Sequence, residues 1–250
     1  MKLLPIVSVI TIVYNSENLI EQTIKSVICQ SYKNIEYIIV DGASSDRTMD
    51  IISKYRKNIS MIISEKDSGI SDAFNKGIRC STGDYVMLLN SGDTLVSYDI
   101  ISIMISELND VDILTGFSLS SNGRIPVKII SNKEPLSHRA RISHQASLVK
   151  REIYNEIGLY DLSYCIRMDY EFWLRCLKKY KYKFIDRIVV LYDIGGISSQ
   201  GSFKYFYEGY IANIKNLCIS DMIKSNVKLL YSYLRYIAVT VLKSLILSSI

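Results

Sequence analysis

The chain has 250 residues and a formal net charge of +5, with 48% hydrophobic and 22% charged residues. That is enough apolar material for one large α/β domain or a domain with an appendage, and it excludes a disordered chain. Five scattered cysteines with no Cys-x-x-Cys, and only two histidines, argue against a disulfide framework or a zinc site.

Ile6 to Val13 is β-branched and broken from Met1–Leu4 by Pro5. It reads as a first strand and not as a signal peptide, so the protein is expected to be cytoplasmic. Asn15 or Ser16 is the expected N-cap of a helix from Glu17 to Gln30. Ile35 to Val40 is a second strand, and turn formers 41–46 lead to a helix through Ile51 and Tyr55. Ile59 to Ile63 is a third strand, followed by the loop 65–69 and a helix from Ser71 to Cys80. Tyr85 to Leu89 is a short apolar run between Gly83 and Gly92, the pattern of a central strand covered on both faces. Strands alternating with helices at this spacing predict a doubly wound, mostly parallel sheet.

The later chain is less regular. A helix is expected at Tyr98–Leu108 and a strand at Ile113–Leu119. Asn122-Gly123 signals a hairpin with Ile125–Ile130 returning. His144–Val149 reads as a strand, Glu152–Ile157 as a helix closed by Gly158, and Asp169–Tyr180 as a helix with Phe172, Trp173, Leu177 and Tyr180 inward. Ile188–Tyr192 is the last strand, with Gly195-Gly196 a turn. From Phe203 the pattern is helical and tyrosine-rich. Residues 227–250 are apolar around most of a helix but interrupted by Lys228, Arg235 and Lys243. That suits an in-plane amphipathic helix, or one packed on the core or a partner, better than a membrane span.

Two basic clusters stand out: Arg139, Arg141, Lys150 and Arg151, then Lys178, Lys179, Lys181 and Lys183. They read either as solvated faces or as attraction for diphosphates or anionic lipid. No nucleic-acid-binding motif accompanies them, so no nucleic acid partner is expected.

In an open α/β sheet ligands sit beyond the carboxyl ends of the strands. Four loops should converge there, carrying Asp41, Asp46, Asp67 and Asp93. Acids gathered round a crevice repel one another unless a cation or a donor-rich ligand is present. Neither Gly-x-Gly-x-x-Gly nor Gly-Lys-Ser/Thr occurs, which excludes a dinucleotide dehydrogenase and a P-loop enzyme.

Several ordered motifs carry a resemblance. They are Val9–Asn15, Val40–Asp46, Asp67–Gly77, Leu89-Asn90-Ser91-Gly92-Asp93, His144-Gln145-Ala146 and Met168-Asp169-Tyr170-Glu171-Phe172. Over about residues 5 to 200 the chain resembles family 2 glycosyltransferases of the GT-A fold, most closely the colanic acid and exopolysaccharide branch. The resemblance implies an α/β, Rossmann-like, mostly parallel sheet flanked by helices. A catalytic domain would span 1–200, with 1–95 holding nucleotide and 96–200 meeting acceptor, and 201–250 would be a helical extension. It implies inverting transfer from a nucleotide-sugar donor, commonly UDP-linked, to a glycan or lipid-linked acceptor in surface polysaccharide synthesis. The protein would then sit on the inner face of the cytoplasmic membrane, touching it through 227–250. By the same resemblance Thr11, Val13, Tyr14 and Asn15 border the base, Asp41 holds uracil or ribose, and Asp67 and Asn75 line that pocket. Asn90, Ser91, Gly92 and Asp93 replace the family's Asp-x-Asp, with Asp93 the ligand for Mg²⁺ or Mn²⁺. Asp169 matches the general base, with Glu171 its rival, and His144 and Gln145 would touch acceptor or diphosphate. A sugar-phosphate nucleotidyltransferase and a non-catalytic nucleotide-sugar-binding subunit stay open as alternatives.

Overall fold

The computed structural model describes residues 4–120, 142–192 and 203–247, with side chains as far as residue 240. The expected hairpin at 122–130, Arg139, Arg141 and Gly195-Gly196 lie outside the described residues.

The strands are β1 (Val7–Val13), β2 (Ile35–Asp41), β3 (Met61–Ser64), β4 (Tyr85–Asn90), β5 (Thr94–Leu95), β6 (Ile113–Ser120), β7 (Ser147–Lys150) and β8 (Tyr182–Tyr192). The helices are α1 (Ile20–Ile28), α2 (Thr48–Lys54), α3 (Ile70–Cys80), α4 (Ile100–Ser106), α5 (Arg151–Ile157), α6 (Met168–Cys176), α7 (Phe203–Asn216) and α8 (Ile219–Leu247). They form one mixed sheet in the order β3-β2-β1-β4-β7-β6-β8-β5. β1 is fully buried, as its mostly apolar, β-branched sequence predicts for a central parallel strand. One face carries Val9, Val13, Met87 and Leu89 under α1; the other carries Ile10, Ile12, Val86 and Leu88 with Ala73, Phe74 and Ile78 of α3.

Register decides where the loops open. β1 pairs parallel with β2 and β4, setting Val13 level with Asp41 and Ile12 level with Asn90. β3 places Ser64 level with Asp41. All four strands therefore finish at one rim. Beyond β4 the sheet turns mixed: β7 runs antiparallel to β4 and β6, while β8 runs parallel to β6. β5 lies four places from β4 in the order, yet only Ser91–Asp93 join them. Three residues reach about 10 Å, whereas four strand spacings in a flat sheet need about 19 Å. The sheet must curl.

Several local expectations shift. α1 starts at Ile20, and neither Asn15 nor Ser16 caps it with a side chain; both are used between loops instead. His144–Ala146 is a single 3₁₀ turn leading into β7. α6 ends at Cys176, not Tyr180. β8 begins at Tyr182, six residues before its expected start, because β6 offers it a long partner. The basic clusters are largely neutralised by acids: Lys150 pairs with Asp112, Lys179 with Glu156, Lys181 with Asp110 and Lys183 with Glu107. These four lysines are charge-balanced, while Arg139 and Arg141 lie outside the described residues.

Candidate active site

β1 connects outward to β2 and β3, and the chain then returns to β4 on the other side of β1. That reversal is the topological switch point, where the loops after neighbouring strands diverge and leave a crevice. A cavity of about 460 Å³ opens there, lined by Ile12, Val13, Tyr14 and Ser16 after β1 and by Asn90 and Ser91 after β4. Asp67 to Ser71 and Ala73 form a second wall, and Leu162, Tyr164 and Cys165 a third. The volume falls within the few hundred to about 1,000 Å³ that small-molecule sites occupy.

Of the expected donor-side residues, Val13, Tyr14, Asp67, Asn90 and Ser91 reach this cavity. Tyr14 stands 64% exposed at its mouth. The Asp67 carboxylate lies against Gly42: a Cβ there would come within 2.5 Å of Oδ2, so this close approach needs a residue without a side chain. Ser16 and Ser91 join their hydroxyls at 2.8 Å, tying the β1 and β4 loops together under the cavity.

The other expected residues brace the rim from behind. Thr11 is fully buried and its hydroxyl meets that of Tyr37 at 3.1 Å, on the face under α1; it does not line the cavity. Asn15, with φ 44°, accepts from the Ser45 amide through Oδ1, while its own amide donates to Ser44 Oγ. Asp41 is also fully buried, accepting from the Ser44 amide, the Ser44 hydroxyl and the Ser64 hydroxyl. Here it holds the 41–46 loop and does not face the cavity. Asn75 is turned away as well: its amide donates to the Tyr160 carbonyl at 2.8 Å and accepts from the Tyr160 amide at 3.0 Å. It clasps α3 to the segment before α6.

Asp93, the expected metal ligand, is turned onto its own loop. The Asp93 amide donates to the Asn90 carbonyl at 3.0 Å, closing a tight turn. Gly92, at its third position, has φ 100°, the requirement of a type II turn. Asp93 is 3% exposed, and its Oδ2 accepts from both the amide and the side chain of Asn90. Gly92 faces α1, its amide donating to the Thr23 hydroxyl. The one carboxylate of this loop is folded back on the loop itself. Among the described residues no three His, Cys, Asp or Glu side chains cluster to hold an ion. Asp93 is thus the one carboxylate of the 90–93 loop, and Mg²⁺ or Mn²⁺ there would draw its other ligands from donor phosphates and water.

Asp169 lies in the first turn of α6, 25% exposed at its side chain. Oδ1 accepts from the Tyr170 amide, and Oδ2 faces His144 Nδ1 at 3.8 Å. Asp169 is not part of the cavity lining, but the adjoining Met168 meets the hydroxyl of Ser71, which is. His144 stands beside this acid, edge-on to Phe74, and its Nε2 is buried with no hydrogen-bond partner. Gln145 accepts from the Ser143 hydroxyl. Glu171, two residues beyond Asp169, is buried and held by the Arg175 guanidinium at 2.9 Å. Arg175 also donates to the carbonyls of Ile157, Gly158 and Leu159. Glu171 is a structural staple and not a rival base.

Two contributors escaped sequence reasoning. Tyr164 is in the cavity wall with its hydroxyl buried and unpartnered. Burial, ahead of the nearby Glu171 charge, pushes its pKa up to about 12, so it stays a neutral donor at physiological pH. Glu208 of α7 is buried and accepts from the amides of Cys165, Ile166 and Arg167 at 2.8–3.0 Å. It supplies from another helix the carboxylate that the α6 N-terminus needs. No local pattern marks it, because its partners lie 41–43 residues away.

The profile of a protein family described as glycosyl transferase family 2 matches residues 8–157. An uncharacterized glycosyltransferase of Mycobacterium tuberculosis is 32% identical over 206 residues, 78% of each chain. The glycosyltransferase TuaG of Bacillus subtilis, assigned to teichuronic acid biosynthesis, is 32% identical over 186 residues, 70% of this chain and 73% of its own. Among solved structures, Staphylococcus aureus TarS in complex with UDP-GlcNAc superposes with a TM-score of 0.70 at 17% identity, covering 90% of this chain and 71% of that one. A Pyrobaculum calidifontis mannosyltransferase in complex with GDP-Man and Mn²⁺ matches at 0.67 and 15% identity, over 91% and 69%. At such identities the likeness shows the fold, which is GT-A.

Proposed function

The chain belongs to glycosyl transferase family 2, and on that premise we propose that it moves a sugar from a nucleotide-sugar donor, UDP-linked, to an acceptor hydroxyl with inversion. The observation that carries this reading is the cavity at the β1/β4 switch point, which adjoins the Met168–Asp169 turn through Ser71. Residues 1–95 hold the donor, 96–200 meet the acceptor, and 201–250 form an extension. The Tyr14 ring offers a stacking face for the base at the cavity mouth. Asp67 accepts from ribose hydroxyls, and Asn90 and Ser91 lie toward the diphosphate. The acceptor is a glycan, carried on lipid, in surface polysaccharide synthesis. The names of TuaG and of a PGL/p-HBAD biosynthesis glycosyltransferase of Mycobacterium bovis support that class.

In the reaction the acceptor oxygen attacks the anomeric carbon from the side opposite the nucleotide. The bond from that carbon to the diphosphate oxygen breaks, and its electron pair leaves with the nucleoside diphosphate. Asp169 takes the proton from the attacking hydroxyl as the new bond forms. Its partial exposure leaves room for an acceptor, and His144 stands beside it with Nδ1 3.8 Å from Oδ2.

The test is a thermal-shift screen of nucleotide sugars followed by mass analysis of products. A UDP-sugar should raise the Tm, and Asp169→Asn should keep that shift while losing transfer. Donor binding without turnover across all acceptors would leave a nucleotide-sugar-binding subunit. No shift with any nucleotide sugar would defeat the reading.

A further inference from the structure

α7 and α8 are amphipathic the wrong way round for water. Their inner faces carry a buried polar network set among apolar contacts such as Ala212 and Leu229. Asn213 of α7 accepts from the Tyr170 hydroxyl of α6 at 2.6 Å and donates to Asn226 of α8 at 2.8 Å. Ser225 is buried in the same seam, beside Leu229. This network fixes the rotation of both helices, because turning either would strand buried amides without partners.

The outer faces are apolar. On α8, Ile219, Ile223, Val227, Leu230, Leu234 and Ile237 are 38–74% exposed. At 3.6 residues per turn they form one stripe about 80° wide, along a helix about 43 Å long. α7 repeats the pattern with Phe203, Tyr207, Tyr210 and Ile214, spaced four, three and four apart and all exposed. Scattered exposed leucines are ordinary, but continuous stripes outside a buried polar seam mark a surface made for an apolar partner.

The charges say which partner. Lys224, Lys228 and Arg235 fall about 60–100° beyond one side of the α8 stripe, and Asp221 is the only acid between 219 and 247. Lys224 and Arg235 are exposed. A second copy of this face would bring cations and no acids to meet them. Tyr207, Tyr210 and Tyr231 join an apolar ring to a polar hydroxyl, the chemistry favoured at a lipid–water boundary. No described helix is long and apolar enough to cross a membrane.

We propose that the outer faces of α7 and α8 lie in the surface of an anionic lipid bilayer, with the apolar stripes in the acyl boundary and Lys224, Lys228 and Arg235 at the headgroups. This deepens the lipid-linked acceptor reading. Through Glu208, α7 also contacts the turn that carries Asp169, so the surface that binds lipid is joined to the site.

The test uses the full chain, without donor, in flotation with vesicles of phosphatidylcholine alone or with about one-third phosphatidylglycerol. The protein should float with the anionic vesicles and bind the neutral ones at least about tenfold more weakly, with affinity falling as salt rises. The double variant Leu230→Ser/Leu234→Ser should lose binding at unchanged Tm, since both side chains are exposed. Lys224→Glu/Arg235→Glu should remove the preference for anionic lipid. Failure of the unaltered protein to float would overturn the proposal. So would a concentration-dependent dimer abolished by the serine variant without vesicle binding. Because no nucleotide sugar is present, flotation can succeed while the transfer reading fails, and the reverse.

Discussion

The donor rim and the first turn of α6 both present carboxylates, and they treat them oppositely. At the rim, Asp41 and Asp93 are buried and bonded to their own loops. In α6, Asp169 keeps one oxygen that among the described residues faces just an imidazole edge at 3.8 Å, while Glu171 one step inward is consumed by Arg175. The difference separates acids that shape a cavity from an acid with capacity left for a proton. Chemical type does not distinguish them; the number of donors already aimed at each carboxylate does.

The largest effect should come from the open carboxylate. Asp169→Asn is expected to slow transfer about 10²–10⁴-fold, the usual worth of a general base, with donor binding and Tm retained. Single-turnover rates check it, and near-normal transfer would erase the contrast. Glu171→Ala should act the other way, costing about 3–5 kcal/mol of stability because Arg175 is left unpaired. Urea denaturation would show the loss, and the folded fraction should still turn over.

Glu208→Gln sharpens the comparison by weakening three charge-assisted bonds at once. We expect a loss of about 1–3 kcal/mol and a lower kcat, since the amides it holds lead directly to Asp169. If only the Tm moves, α7 stabilises the helix without orienting the base. Gly92→Ala tests the rim: φ 100° disfavours a side chain, so about 1–2 kcal/mol should be lost. Weakened donor binding should follow as the 90–93 turn opens.

The smallest effect is a pH dependence remote from both regions. Burial works to raise the Asp112 carboxyl, but hydrogen bonds from Lys150 and the Lys181 amide outweigh it and lower its pKa below the ordinary 3.8. A depressed carboxyl contributes stability above its unfolded pKa and loses it as pH falls through the folded one. Asp112→Asn should therefore flatten the Tm-versus-pH curve only below about pH 4, leaving neutral-pH transfer unchanged.

Most of the sheet was legible because burial on both faces leaves a plain mark. Tyr85–Leu89 and Ile35–Val40 read as strands from apolar run and flanking turn residues alone, and the structure extends each by one residue. The convergence of four loops on one rim also followed, since parallel strands with helical crossovers must all point the same way. Asn75 and Thr11 misled for a shared reason. Each stands in a motif beside cavity residues, but its side chain is spent on a buried partner, Tyr37 for Thr11 and Tyr160 for Asn75. β5 and the full length of β8 carry little periodic signal of their own and exist because the curled sheet supplies their partners.

What sequence alone determined, then, was the order of elements, the rim and the set of acids brought to it, all consequences of local pattern and chain direction. Tertiary structure decided which of those acids are spent. Asp93 is closed by Asn90 across a turn of four residues, and the α6 N-terminus is completed by Glu208 from over 40 residues away. Hydrogen-bond saturation depends on what other segments bring within 3 Å, and no single segment encodes that.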